Sequence, residues 1–419
     1  MEHNNPLVRI GLIGFGCVGQ GFYDIVQRQP SLEMVVARIA VKSPDKARPL
    51  PIERFSFHAD ELLDDEQLDL LVEVIDDPVE AFRLVSAALR RGRHVVTANK
   101  AMLARHLPEL VQLQVKFGGT LLYEAAVCGS IPLVRTLDAY FGHEPLRAVS
   151  GIFNGSSNYV LTRMSEAGTG YAAALAEAQG KGFAETDPSL DMGAFDPRSK
   201  AVILAAHAYG VYLPPNEVLN LGIEGINGAD VAYAASRDQK IKVVAGVYRL
   251  PNGRVTALVA PQLVGPDSMF YHVEHEFNGV LLEAEYAGAQ FLRGRGAGAH
   301  PTGSAVLADV LALQRGFRYR YAKQQCPPDT QLTTGLSAKV YVRHADPETL
   351  RQALDWLELP VDCLQTDEAG PYATGLVALN TLWTKRDELR SLGVFVARLG
   401  EGHPVVTTAK KSRHLAKSA

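Results

Sequence analysis

The chain has 419 residues, 47% of them hydrophobic and 21% charged, with a net charge of −4. That length carries two or three globular domains, and the balance excludes a disordered or collagen-like chain and gives no ground for nucleic-acid binding. Its four cysteines, Cys17, Cys128, Cys326 and Cys363, are dispersed and form no CxxC pair, which excludes a disulfide framework and a structural zinc site.

The opening stretch MEHNNPLVRI has no basic region of the kind that starts a signal peptide. No apolar run reaches the roughly 18 residues of a membrane span. The expectation is a cytoplasmic chain with no membrane partner. VRIGLIGFGCVGQGFYDIV then reads as a strand, a glycine turn and a helix. MVVARIAVK is a second β-branched run. LDLLVEVID is another apolar strand, followed by the helix PVEAFRLVSAALRRG, the strand HVVTAN, the helix LPELVQLQVKFG and the strand TLLYEAAV. Alternating helices and near-continuous apolar strands predict a Rossmann-type, doubly wound parallel α/β sheet over residues 1–144.

From about residue 145 the pattern changes. Helical stretches (YAAALAEAQGKG, KAVILAAHAYG) mix with strand-like runs (KIKVVAGVYRL, VTALVAPQLV, GVLLEAEYAG), predicting an α+β domain over 145–290. LRGRGAGAHPTGSAVLADVLALQRG is a glycine turn and a long apolar helix that returns to the first domain, completing it at about 291–325. CPPDTQLTTG is a linker. A small βαββαβ pattern fills 336–400, and the basic tail 405–419 is expected to be disordered.

Gly14, Gly16 and Gly19 form GxGxxG between a strand and a helix, the context in which that spacing binds a dinucleotide. The first glycine permits the tight turn and the second lets the backbone approach a pyrophosphate. The third allows close packing, and the helix N-terminus faces the phosphates. At the end of the second strand, where an NAD-selective site places an acid, stand Lys42, Lys46 and Arg48. Cations there favour a 2′-phosphate, hence NADP, with NAD and a merely solvated basic loop left open. HVEH (272–275) lacks the i,i+4 pairing of a zinc-binding helix.

GFAETDPSLDMGAFDPRSK (182–200) sets Glu185, Asp187, Asp191 and Asp196 ahead of Lys200 and an almost wholly apolar helix. Charges so close to a core are costly unless they pair or perform chemistry. Asp196 before Pro197 reads as a helix cap with a first-turn proline, which puts Lys200 in the first turn, on the same face as Asp196.

VVTANKAML, YEAAVCGSIPLVRTL, GIFNGSSNYVLTRM, GFAETDPSLDMGAFDPRSKAVILA and RGRGAGAHPTGSAV occur in the order of the signature blocks of homoserine dehydrogenases, and the chain resembles that family from about residue 8 to 320. The resemblance implies reversible, NAD(P)-dependent interconversion of L-homoserine and L-aspartate 4-semialdehyde, on the route to threonine and methionine. It implies that Lys200 transfers the proton, Lys100 reaches substrate and cofactor, and Asp196 belongs to the same polar site. Glu185 and Asp191 would bind substrate in a pocket lined by Asn154, Gly155 and Ser156. Phe15, Cys17, Val18, Lys42, Thr97 and Gly298, with the three glycines, would touch the dinucleotide. Glu124, Val127, Gly129 and Ile131 would hold a monovalent cation, usually sodium, largely through backbone carbonyls. The implied assembly is a homodimer or homotetramer, with 145–290 supplying the dimer contact.

The chain departs from the family pattern at Asp76 and Asp77, where glycines are common, and at Cys128 and Ser130, where smaller residues are common. The C-terminal pattern resembles a ferredoxin-like ACT domain. Its first strand–helix turn, RHADPET, lacks the glycine that opens such turns to an amino acid. The expectation is a domain that pairs with its copy in another subunit and responds weakly or not at all to threonine. Two other readings share the glycine loop: another amino-acid dehydrogenase, such as aspartate dehydrogenase, and a non-catalytic nucleotide sensor. Neither requires the block from Glu185 to Lys200.

Overall fold

The computed structural model describes residues 7–325, 333, 335–367, 370–400 and 405–406. Its first unit runs β1 (Val8–Ile13), α1 (Cys17–Arg28), β2 (Met34–Ala40), β3 (Phe55–Ser56), α2 (Asp60–Leu63), β4 (Leu70–Glu73), α3 (Pro78–Arg90), β5 (His94–Thr97), α4 (Lys100–Phe117) and β6 (Leu121–Leu122). The six strands are parallel, in the order β3-β2-β1-β4-β5-β6. Strand order reverses between β1 and β4, and the crevice outside their carboxyl ends is where such sheets bind ligands.

The second unit runs β7 (Leu146–Ile152), α5 (Gly155–Ala167), α6 (Tyr171–Gly180), α7 (Ser189–Met192), α8 (Phe195–Tyr209), β8 (Leu219–Asn220), α9 (Gly228–Ala235), β9 (Lys240–Arg249), β10 (Val255–Val264), β11 (Phe277–Ala284) and β12 (Ala289–Arg295). Helix α10 (Ala299–Gln314) then returns to the first unit and lies on α1. Two glycines make that approach possible: a Cβ on Gly21 would stand 2.1 Å from the Ala299 carbonyl oxygen, and one on Gly303 would stand 2.6 Å from the Phe22 nitrogen.

The last unit runs β13 (Leu336–Arg343), α11 (Pro347–Trp356), β14 (Leu364–Asp367), β15 (Gly370–Ala378), α12 (Leu379–Ser391), β16 (Phe395–Leu399) and β17 (Val405–Val406). The βαββαβ order is present, but the unit is not free-standing. β16 pairs parallel with β10 (Gln262↔Arg398, Leu263↔Leu399), so one mixed sheet runs β12-β11-β7-β9-β10-β16-β13-β15-β14. The β16 edge of the unit is therefore paired within the chain, and β14 is the outer strand. Leu219, Leu221, Leu250 and Leu258 share an apolar cluster with Leu350, Leu354, Leu382 and Leu389. Beside it the buried Asp230 carboxylate accepts Arg343 Nε at 2.8 Å and the Tyr341 hydroxyl at 3.1 Å.

Two further expectations are corrected. The helix read as LPELVQLQVKFG begins earlier, at Lys100, because Asn99 Oδ1 accepts the Met102 N–H at 2.9 Å and starts it there, with Pro108 carried inside. The strand read as TLLYEAAV is only Leu121–Leu122, after which the chain turns through Glu124–Ala126. The tail expected to be disordered from 405 begins instead with a strand, β17, whose Val405 and Val406 pair with Ser337 and Leu336 of β13; the rest of it, 407–419, and most of the linker lie outside the described residues.

Candidate active site

The glycine loop has the shape its spacing predicts. Gly14 has φ 102°, and a Cβ there would stand 2.8 Å from the Val74 carbonyl oxygen. A Cβ on Gly19 would stand 2.4 Å from the Gly14 oxygen, whereas beside Gly16 there is open space. Gly16 caps α1 with no side chain, and no acid sits in the first turn, so the helix presents uncovered N–H groups to an anion. The Phe15 ring is packed on Tyr23 and Phe55, Cys17 is exposed and Val18 half-buried. Lys42 is exposed just past β2. Beyond it Arg48 folds back, donating to the Ser43 and Lys46 carbonyls. Gly298, with φ 114°, opens α10.

Facing the carboxyl ends of β4 and β5 is a cluster built from α4, the start of α5, α7 and α8. Lys200 Nζ, on α8, donates to Asp196 Oδ2 at 2.7 Å and to the Phe153 carbonyl at 2.7 Å. Lys100 Nζ, from the first residue of α4, stands 3.0 Å from Asp196 Oδ1. Asn154 Oδ1 caps α5 by accepting the Ser157 N–H, while its Nδ2 donates to Asp191 Oδ1 (2.7 Å) and Asp196 Oδ2 (2.9 Å). Asp196 and Lys200 are buried, each 7% exposed, whereas the Lys100 side chain is 43% exposed and reaches solvent. Burial pushes the Asp196 carboxyl up, but the Lys100 and Lys200 ammoniums, with Asn154, outweigh it and hold it below the usual carboxylate range. Asp191 has no such contact with a cation; burial and then the neighbouring Asp196 charge raise its pKa. The Asp196 charge likewise raises the pKa of Lys100.

The expected cap at Asp196 is not formed. α8 starts at Phe195, after Ala194 in the left-handed region (φ 60°), and Asp196 lies inside the first turn with no capping bond. Its oxygens are occupied by two ammoniums and an amide. Lys200 therefore stands in the second turn, still four residues from Asp196 and on its face. The far end of α8 is fixed by His207, whose Nε2 is 2.7 Å from the Tyr123 hydroxyl and whose Nδ1 is 3.3 Å from Asp138.

A buried carboxylate not singled out in the sequence ends β4. Glu73 Oε2 accepts the Thr97 hydroxyl at 2.5 Å, and Oε1 accepts the Ile75 N–H at 2.8 Å. Thr97 Oγ1 in turn accepts the Asn99 N–H. Burial, with no cation among these contacts, pushes the Glu73 carboxyl up to about 7. Asp77, one of the departures noted above, caps α3 by accepting the Val79 and Glu80 N–H groups.

The homoserine dehydrogenase family profile matches residues 132–311, and the profile of that family's NAD-binding domain matches 14–124. A homoserine dehydrogenase of Synechocystis is 35% identical over 316 residues, 73% of each chain. The chain belongs to the homoserine dehydrogenase family. Among solved structures, a homoserine dehydrogenase from Thiobacillus denitrificans superposes with TM-score 0.79 at 27% identity, covering 95% of this chain and 99% of that one. A hyperthermophilic archaeal homoserine dehydrogenase in complex with NADPH superposes with TM-score 0.63 at 27% identity, covering 75% and 99%.

The structure brings together Lys100, Asn154, Asp191, Asp196 and Lys200 of the expected site. Gly155 opens α5 where a Cβ would stand 2.5 Å from the Glu276 oxygen, and Ser156 Oγ donates to the Phe183 carbonyl. Glu185 is exposed, outside the hydrogen-bonded cluster, with its backbone carbonyl accepting Gln179 Nε2. The Glu124 carboxylate accepts the N–H groups of Leu133, Val134 and Arg135, and its carbonyl accepts the Val127 N–H, so its oxygens are already engaged within the turn. Among the described residues the carbonyls of Val127, Gly129 and Ile131 accept no hydrogen bond. Gly129 has φ 53° and lies against the Arg295 and Gly296 carbonyls. Beside Gly296 the buried Asn278 amide pairs neither Oδ1 nor Nδ2. These unspent oxygens fit a monovalent cation. Among the described residues no helix is long and apolar enough to cross a membrane.

Proposed function

We propose that Lys200 moves the proton in the interconversion of L-aspartate 4-semialdehyde and L-homoserine. The observation that carries this reading is the buried Lys200–Asp196–Lys100 array, bridged by Asn154 to Asp191. A bound nicotinamide dinucleotide supplies the hydride to the aldehyde carbon, or accepts it in reverse. Lys200 Nζ gives a proton to the oxygen as the hydroxyl forms, and takes it back in oxidation. Asp196 keeps the two ammoniums together without neutralising either, since it is bonded to both. Lys100, reaching solvent from the nicotinamide side, meets the substrate oxygen or carboxylate. Asp191, lacking a cation of its own, takes the substrate ammonium, with Glu185 closing over it from the exposed loop.

The open face of Gly16 and the uncovered α1 N-terminus support pyrophosphate binding, and Lys42 supports NADP over NAD. The turn 124–131 holds sodium or a similar cation through its carbonyls. Residues 1–144 with about 291–325 serve the cofactor, 145–290 the substrate and the subunit contact of a cytoplasmic homodimer or homotetramer, and 336–400 form an ACT-like module. In that module the turn before α11 is spent internally: Asp346 caps the helix through Thr349 and its N–H meets His344 Nδ1, which supports a weak threonine response. The purified chain should oxidise NADPH with aspartate semialdehyde, and Lys42→Ala should narrow the gap between NADPH and NADH affinities. No turnover with either dinucleotide would overturn the reading.

A further inference from the structure

The C-terminal unit reaches the supports of the catalytic cluster, and Arg390 reaches two of them. The turn that carries Asp191 is held from behind by residues 220–223. Asn220 Nδ2 donates to the Gly193 carbonyl at 2.7 Å, and the Ile223 N–H donates to the Met192 carbonyl at 2.8 Å. A Cβ on Gly222 would stand 2.3 Å from that same Met192 oxygen, so this strip lies directly on the turn. The strip is held in turn by the C-terminal unit. Arg390 Nε, on α12, is 3.3 Å from Glu224 Oε1, and Arg343 Nη2 on β13 donates to the Gly225 carbonyl at 2.7 Å.

Arg390 also reaches α8 directly. Its guanidinium lies 5.0 Å from the centre of the Phe195 ring, the residue before Asp196. Arg198 lies 4.9 Å from the same ring and donates to Asn220 Oδ1 at 2.9 Å. Burial, and then the charges of Arg386, Arg390 and Arg105, pull the Arg198 guanidinium down to about 10. One side chain thus grips both supports of the cluster: the strip beneath Asp191 through Glu224, and the first residue of α8 through its ring. An arginine suits both tasks, because its planar cation pairs with a carboxylate while lying on an aromatic face.

We propose that Arg390 is a positioning residue for the substrate site: it sets the Asp191 turn and the start of α8 from the C-terminal unit, so that unit is part of the catalytic apparatus. The proposal rests on the reading of Asp191 as the substrate's ammonium partner. Small displacements of such supports lower catalysis by amounts well above their effect on stability.

The full chain with Arg390→Ala and Arg390→Lys tests it through two readouts. In Arg390→Ala, amide exchange in residues 189–200 should quicken about tenfold while the 8–40 segment keeps its wild-type rate. The KM for homoserine should rise about tenfold with NADP affinity unchanged, and Arg390→Lys should recover part of both effects. A loss of global stability alone would leave KM per folded enzyme at its wild-type value. Unchanged exchange in 189–200 overturns the positioning role whatever reaction the chain performs. Quickened exchange with an unchanged KM keeps the mechanical link and overturns the assignment of Asp191 to substrate.

Discussion

Asp77–Pro78, Asp346–Pro347 and Asp196–Pro197 look alike in sequence, and all three stand at helix starts. The first two are exposed caps. Asp77 accepts the N–H groups of Val79 and Glu80, Asp346 accepts that of Thr349, and each proline takes the first helical position. Asp196 does none of this. It lies inside α8 and gives its oxygens to Lys100, Lys200 and Asn154. The difference lies in what competes for the carboxylate. Two ammoniums at 3 Å or less offer charge-assisted bonds stronger than any a backbone N–H provides, and burial strengthens them further. The α8 start is left to Ala194, held in a left-handed conformation that favours glycine.

The strongest way to break this comparison is at the buried start. Lys200→Ala should lower turnover by about 10²–10⁴ while NADPH still binds, measured by fluorescence titration beside steady-state rates. Asp196→Asn should lose at least about a hundredfold, because it leaves two ammoniums without their shared anion. Turnover near wild type in either variant would reduce Asp196 to a helix-end residue like the other two.

Glu73 sharpens the point as a buried carboxylate with no cation. Its folded pKa, raised to about 7, exceeds the ordinary 4.5, so the folded chain binds more protons than the unfolded chain between those values. Its contribution to stability therefore falls as pH rises from 4.5 through 7, by roughly 2–3 kcal/mol, and stays low above that. Glu73→Gln should remove this slope. The variant's melting temperature relative to wild type should climb between pH 5 and pH 8. A constant difference across that range would mean that Glu73 is ionised throughout.

At the exposed starts the effects should be smaller. Asp77→Ala and Asp346→Ala should each cost about 1 kcal/mol of stability, read by denaturant titration, with turnover within about twofold of wild type. A large kinetic effect at Asp77, near the end of β4, would mean that the departure from the family's glycines serves the cofactor as well as the helix. Smallest of all, Ala194→Gly should gain at most about 1 kcal/mol, as relief of the left-handed strain is partly offset by glycine's freedom in the unfolded chain.

These comparisons also show what can be read from sequence. The β1–glycine loop–α1 segment was legible to the residue at Val8–Ile13, because the apolar run stops at a glycine whose φ of 102° other residues rarely adopt. Lys100 and Asp196 are 96 positions apart, and only the family resemblance brought them together; no local pattern could. Asn154 was legible as a pocket residue but not as the bridge between two carboxylates, which needs the turn at Asp191 folded beneath it. Glu73 was missed because one acid ending an apolar strand reads as the strand's solvent edge. Its partner Thr97 lies 24 residues on. The pairing of β16 with β10 was not legible, because strand order inside a βαββαβ unit says nothing about which edge β10 will occupy.

The seam between α1 and α10 bears on how the chain is born. Residues 17–28 leave the ribosome well before the helix that covers Gly21 and Phe22, which ends at residue 314. At about 5–20 residues per second, roughly 15–60 s separate the two. For that interval the parallel sheet has its own four helices, α1 to α4, and lacks α10, which only a later segment supplies. The first unit is therefore completed after the second is made, and a nascent chain stopped before residue 299 leaves uncovered the face of α1 that carries Gly21.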